Sequence, residues 1–182
     1  VPEDRCAQLT GLSFDVVLRD IFLPLTSGAT LCLPEDDDLQ NSATIFEWLE
    51  RESITVLHTV PSLVQFWLSN VNASSLISLS SLRWLFFAGE PLTDTLVRQW
   101  RTTFPESGEI INLYGPTETT LAKCYYKVPT SSPSGIQPLG WPLPQTQALV
   151  MRTNGLLCGV GEPGEISIRT PYRSLGYIND LG

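Results

Sequence analysis

Residues 112–120, Asn-Leu-Tyr-Gly-Pro-Thr-Glu-Thr-Thr, gather an aromatic ring, a Gly-Pro turn, three threonine hydroxyls and one carboxylate. Each of these has a use against a magnesium nucleotide. A threonine hydroxyl donates to phosphate oxygens, a carboxylate ligates Mg²⁺ through oxygen, and a tyrosine face stacks on a base. The stretch also has a plain structural reading, in which Gly-Pro makes a tight turn and Thr-x-x-Thr caps a short helix. Its position in the fold bears on the choice.

The elements around it alternate in type. Residues 14–25 place Phe14, Val17, Leu18, Ile21, Phe22 and Leu25 at helical spacing, which predicts one buried face, with Ser13 as N-cap and Ser27-Gly28 as the stop. Residues 29–34 read as a short apolar strand, 42–53 as an amphipathic helix and 54–60 as a β-branched strand. A helix opening on Pro61 follows over 61–71, then a strand over 83–89. Residues 93–104 form a helix with Leu96, Val97, Trp100 and Phe104 inward, and 109–115 a further strand. Short joins and strands apolar on both faces predict an α/β fold, a parallel sheet flanked by helices on both faces. In such sheets ligands bind beyond the carboxyl ends of the strands, which singles out His58, residues 88–91 and residues 114–118.

After residue 129 the texture changes to a Ser-, Pro- and Gly-rich stretch and short strands without helices. This divides the chain into an α/β unit, 1–129, and a linker with part of a small β-rich, barrel-like unit, 130–182. The first residues suggest no element, and the chain reads as an excerpt of a longer one.

Composition narrows the partners. The 182 residues are 42% hydrophobic and carry a net charge of −8, with only two lysines, Lys123 and Lys127. No basic stripe could neutralise a nucleic acid or an anionic membrane. No apolar run of about 18 residues predicts a membrane span. The four cysteines show no metal or disulfide spacing, and a reducing, cytoplasmic setting fits them. The acidic run 34–38 reads as a solvated loop, and Trp48, Trp67 and Trp100 as packing.

The stretch 112–120 resembles the Asn-x-Tyr-Gly-Pro-Thr-Glu motif of adenylate-forming enzymes, specifically the adenylation domains of nonribosomal peptide synthetases. Residues 12–31, 86–92 and 161–179 resemble that family's neighbouring segments in order and spacing, although 169–174 departs from a usual glycine-rich middle. The resemblance implies ATP and Mg²⁺, with Thr117 at the α-phosphate and Glu118 on the metal as the catalytic pair. It places Tyr114 on adenine, with Gly115 in the same turn and Ala88, Gly89 and Glu90 along the base's other side. The substrate pocket would be Asp15, Val16, Arg19, His58, Phe86, Ala88, Leu113, Leu121 and Ala122, with Asp15 holding an α-amino group. The activated acyl group would pass to the phosphopantetheine of a carrier protein working beside condensation domains.

Asp15 and Arg19 are also placed for an ordinary i, i+4 ion pair. Arginine at that position departs from many relatives. It can hold a polar or acidic substrate side chain, or neutralise Asp15 and favour an acid without an amino group. His58 reads as a pocket wall or buried imidazole, because adenylate formation starts from an ionised carboxylate and needs no base. The family's phosphate loop, ribose-binding aspartate and lid lysine have no counterpart in these residues, so the excerpt alone is expected to be inactive. Competing readings are an acyl- or aryl-CoA ligase, a hydroxy- or keto-acid-activating domain, and a noncatalytic nucleotide-binding domain.

Overall fold

A computed structural model describes residues 1–39, 41–70 and 77–178. Seven strands form its main sheet: β1 (Arg5–Ala7), β2 (Thr30–Cys32), β3 (Val56–Thr59), β4 (Trp84–Phe87), β5 (Glu109–Tyr114), β6 (Cys124–Lys127) and β7 (Trp141–Pro142). Their order is β2-β1-β3-β4-β5-β6-β7. The first five run parallel, whereas β6 and β7 are antiparallel to their neighbours. The sheet is therefore mixed, not wholly parallel. The connection after β5 turns back through a single 3₁₀ turn without an α-helix, and a parallel return needs a crossover of about a dozen residues or more.

Strand β1 lies where no element was expected. It is three residues long and contains no β-branched side chain, so local propensity is silent. Tertiary pairing makes it a strand, because Cys6 sits opposite both Leu31 and Val56.

Four helices accompany the sheet: α1 (Val17–Ser27), α2 (Ser42–Arg51), α3 (Pro61–Ser69) and α4 (Asp94–Thr103). The Asn41 side chain accepts the N–H groups of Ala43 and Thr44, and the Thr44 hydroxyl closes the capping box that starts α2. Pro61 opens α3, and Thr93 caps α4 by accepting the Leu96 N–H at 3.3 Å. These three helices bury Phe46, Trp48, Trp67, Val97 and Trp100 against Leu57, Leu85, Phe87 and Ile110 of the strands. Phe46, Trp100 and Phe104 form a ring cluster with centroids 4.9 to 6.3 Å apart. Alternate strand residues, His58 and Phe86 among them, point to the opposite face, where α1 brings Asp20 to 3.7 Å from His58. Helices thus flank both faces.

Helix α1 departs from expectation. It starts at Val17, after turns, with no side-chain cap, so Ser13 is not its N-cap. Its buried residues are Val17, Asp20 and Pro24, while Leu18, Phe22 and Leu25 are more than half exposed. Most of the apolar stripe therefore faces out of this segment, while Val17 and the polar Asp20 face in. Gly28 ends the helix at φ 75, the left-handed conformation that glycine adopts freely.

The acidic run forms a turn in which Asp38 accepts the Glu35 N–H and pairs with Arg51 at 2.9 Å. Beyond residue 129 the chain first returns to the α/β body. Gln137, 1% exposed, donates its N–H to the Leu92 carbonyl. Two antiparallel strands, β8 (Gln147–Met151) and β9 (Glu165–Arg169), form a separate small sheet. Among the described residues no helix is long and apolar enough to cross a membrane.

Candidate active site

A cavity of about 510 Å³ opens beyond the carboxyl ends of β1, β3, β4 and β5. The turns leading into α1 and the segment after the 3₁₀ turn Thr117–Thr119 complete its walls. Asp15, Val16, Arg19, His58, Ala88, Leu113, Leu121 and Ala122 all line it, as do Gly89, Glu90, Gly115 and Thr117. These residues come from five separate segments, which strand order, helix α1 and the return after β5 bring together.

Phe86, Tyr114 and Glu118 fall outside this lining. Phe86 sits behind His58, their rings stacked with centroids 4.6 Å apart. Tyr114 ends β5 and is half-buried. Glu118 is exposed on the 3₁₀ turn, where its Oε1 accepts the Tyr177 hydroxyl at 3.0 Å and its carbonyl accepts the Ser174 N–H. That hydrogen bond pushes the Tyr177 phenol up. The segment after β9 therefore reaches Glu118, a contact that no spacing in the sequence signals.

The ionic arrangement differs from the expected Asp15–Arg19 pair. Arg19 instead turns to its neighbour Asp20, donating from Nε at 3.0 Å and Nη2 at 2.8 Å to Oδ1. Thr10 donates to the other oxygen at 2.5 Å. The Asp20 side chain is fully buried and that of Arg19 is 16% exposed. Burial, and secondarily the Arg19 charge, hold the His58 imidazole well below its ordinary pKa, so it is neutral near pH 7. Sequence reasoning missed Asp20; its place between Thr10 and His58 was the unreadable part. Among the described residues no cation pairs with Asp15. Glu90 is engaged differently, its carboxylate accepting both the N–H and the hydroxyl of Ser62 at 2.8 Å. Ser62 lies in the first turn of α3, where a negative charge is favoured.

The backbone here is crowded. Thr120 and Leu121 adopt φ of 59 and 62, rarely taken by such residues, and such strain concentrates at functional sites. A Cβ on Gly115 would lie 2.2 Å from the Leu121 carbonyl oxygen, so only glycine fits. The Lys123 N–H ties the returning chain to the Tyr114 carbonyl at 2.7 Å. Its ammonium donates to the Thr120 carbonyl at 2.5 Å, and burial lowers its pKa.

A cavity at the switch from parallel to antiparallel strands, walled by an acid, a threonine turn and an Ala-Gly-Glu segment, agrees with what family comparison finds. The model of the AMP-binding enzymes matches residues 1–178. The chain belongs to the AMP-binding enzyme family. The large subunit of L-2-aminoadipate reductase from Eremothecium gossypii is 32% identical over 185 residues, covering 96% of this chain and 13% of the relative. Tyrocidine synthase 3 of Brevibacillus parabrevis is 33% identical over 175 residues, covering 96% of this chain and 3% of that protein. Among solved structures, the Vibrio cholerae adenylation domain AlmE, in complex with glycyl-adenosine-5'-phosphate, superposes with a TM-score of 0.82 at 31% identity. That match covers 98% of this chain and 34% of the other. The chain thus spans a small part of the AMP-binding enzymes it resembles and shares their mixed sheet.

Proposed function

We propose that this chain carries the substrate pocket and nucleotide rim of an enzyme that activates an amino acid as its acyl-adenylate. The observation that carries the reading is Asp15: it lines the cavity and has no cation partner among the described residues. A carboxylate so placed is suited to an α-amino group. The readings without an amino group rested on Arg19 neutralising Asp15, and Arg19 is engaged by Asp20.

Arg19 and His58 line the same cavity, so a substrate held at Asp15 can extend a polar or acidic side chain towards them. The names of two relatives are in keeping, one an aminoadipate reductase and one structure holding a glycyl adenylate. ATP would lie along the rim, its base against Tyr114 with Ala88, Gly89 and Glu90 on the other side. Thr117 would donate to the α-phosphate. Glu118 fits a magnesium ligand, since its carboxylate is exposed and Mg²⁺ accepts one or two carboxylates beside phosphates and waters. A substrate carboxylate then displaces pyrophosphate at the α-phosphorus, which demands alignment and charge neutralisation more than covalent help. A carrier-protein phosphopantetheine thiol would receive the acyl group, with condensation domains as further partners. These 182 residues alone are expected to be inactive.

The test is ATP–pyrophosphate exchange by the full-length protein over a panel of amino, hydroxy and keto acids. Asp15→Ala should lower kcat/KM for amino substrates by 10-fold or more and spare hydroxy acids. Equal loss on both sets would refute the amino-group role.

A further inference from the structure

Asp20 lies beside the proposed pocket, buried, and nothing about the cavity lining singles it out. We propose that Asp20 is the positioning residue of the pocket's polar end and thereby sets which substrate side chain the enzyme accepts. The inference rests on the amino-acid-activating reading above.

Three side chains converge on this carboxylate. Arg19 directs Nε and Nη2 to Oδ1, Thr10 bonds Oδ2, and His58 Nδ1 stands 3.7 Å from Oδ1. Two donors of one guanidinium on one oxygen fix the plane of that group, because its N–H geometry is rigid. Nη1 is left without a protein partner among the described residues, on a residue that lines the cavity. At 3.7 Å the Asp20 anion makes no hydrogen bond to His58, but its charge favours the tautomer with the proton on Nδ1 and Nε2 free to accept. Phe86, stacked at 4.6 Å, holds the imidazole plane from behind. Asp20 thus aims the donor edge of Arg19 directly and acts on the His58 nitrogen only through its charge, without touching substrate. A side chain rich in hydrogen-bonding groups gains from both, and an apolar one gains from neither. Discrimination of this kind is large when the site's own polar groups would otherwise stay unpaired.

The experiment compares wild type, Asp20→Asn, Asp20→Glu and Thr10→Val of the full-length protein in pyrophosphate exchange. The panel pairs polar or acidic amino acids with apolar ones of similar size. Asp20→Asn should raise KM at least 10-fold for the preferred polar substrate, with kcat within about threefold and KM for apolar substrates within about twofold. Thr10→Val, which removes one partner of Asp20, should move KM in the same direction by a smaller factor. Asp20→Glu should recover part of the selectivity. A uniform change over the panel, or none, overturns the proposal. A lower KM for acidic substrates in Asp20→Asn also overturns it, since Asp20 would then only mask the Arg19 charge. Were Asp20→Asn insoluble, Asp20→Glu and Thr10→Val would decide together, because Thr10 also lines the cavity, an unchanged selectivity in both counting against the idea. A wild type that activates no amino acid refutes the underlying reading instead, a result distinct from these.

Discussion

Gly115→Ala offers a sharp test of how the motif shapes the pocket. The added Cβ would sit 2.2 Å from the Leu121 carbonyl oxygen, 2.7 Å from the Lys123 nitrogen and 2.8 Å from the Ala122 Cα. Ordinary contact begins at 3.4 Å, and all three neighbours are backbone that no side-chain rotation can move aside. The returning segment must shift by about an ångström, at an overpacking cost of about 1–3 kcal/mol. The 2.7 Å bond from the Lys123 N–H to the Tyr114 carbonyl lies in its path, and weakening it adds about 1 kcal/mol. A total of about 2–4 kcal/mol lowers Tm by several degrees in the full-length protein, less per kcal/mol than in a small domain because the unfolding entropy grows with size. Because Leu121 and Ala122 line the cavity, the shift also reaches substrate binding. The control is Gly108→Ala, whose Cβ would lie 2.3 Å from the Arg83 carbonyl, away from the cavity. Thermal melts and pyrophosphate exchange on the full-length variants should show both destabilised and only Gly115→Ala raised in KM. Equal KM for the two, or an unshifted Tm in Gly115→Ala, would refute the packing argument.

Two further outcomes follow from burial. His58 has its folded pKa lowered below 6.5, so its contribution to stability is complete above pH 6.5 and is lost as pH falls below it. Chemical denaturation should show wild-type stability declining faster than that of His58→Gln on acidification, by at most about 1.4 kcal/mol per pH unit; parallel curves would contradict it. Cys6 is pushed up to about 11 by burial, and Cys32 and Cys124 are raised by the same cause. Native thiol labelling at pH 8, mapped by mass spectrometry, should modify the half-exposed Cys158 well before these three, and early labelling of Cys6 would count against its burial.

How much was readable differs from element to element. Helices α2 and α4 announced themselves because a continuous apolar face is a local pattern, and both ended within two residues of expectation. Strands β3, β4 and β5 were legible because strands covered on both sides are apolar throughout. Strand β1 was not, since three residues carry no period. Helix α1 was legible as a helix but its buried face was not, since the inward Asp20 meets Thr10 and His58 from distant segments.

The same division runs through the site. Residue order by itself determined the alternation of strand and helix, the motif at the end of β5 and the acid at position 15, because each is a pattern over neighbouring residues. Only the tertiary structure decided that Arg19 turns to Asp20 rather than Asp15, that Tyr177 meets Glu118, and that β6 runs backwards between β5 and β7. Those outcomes depend on which groups meet across the folded chain, and a buried carboxylate takes whatever donors the packing brings within reach.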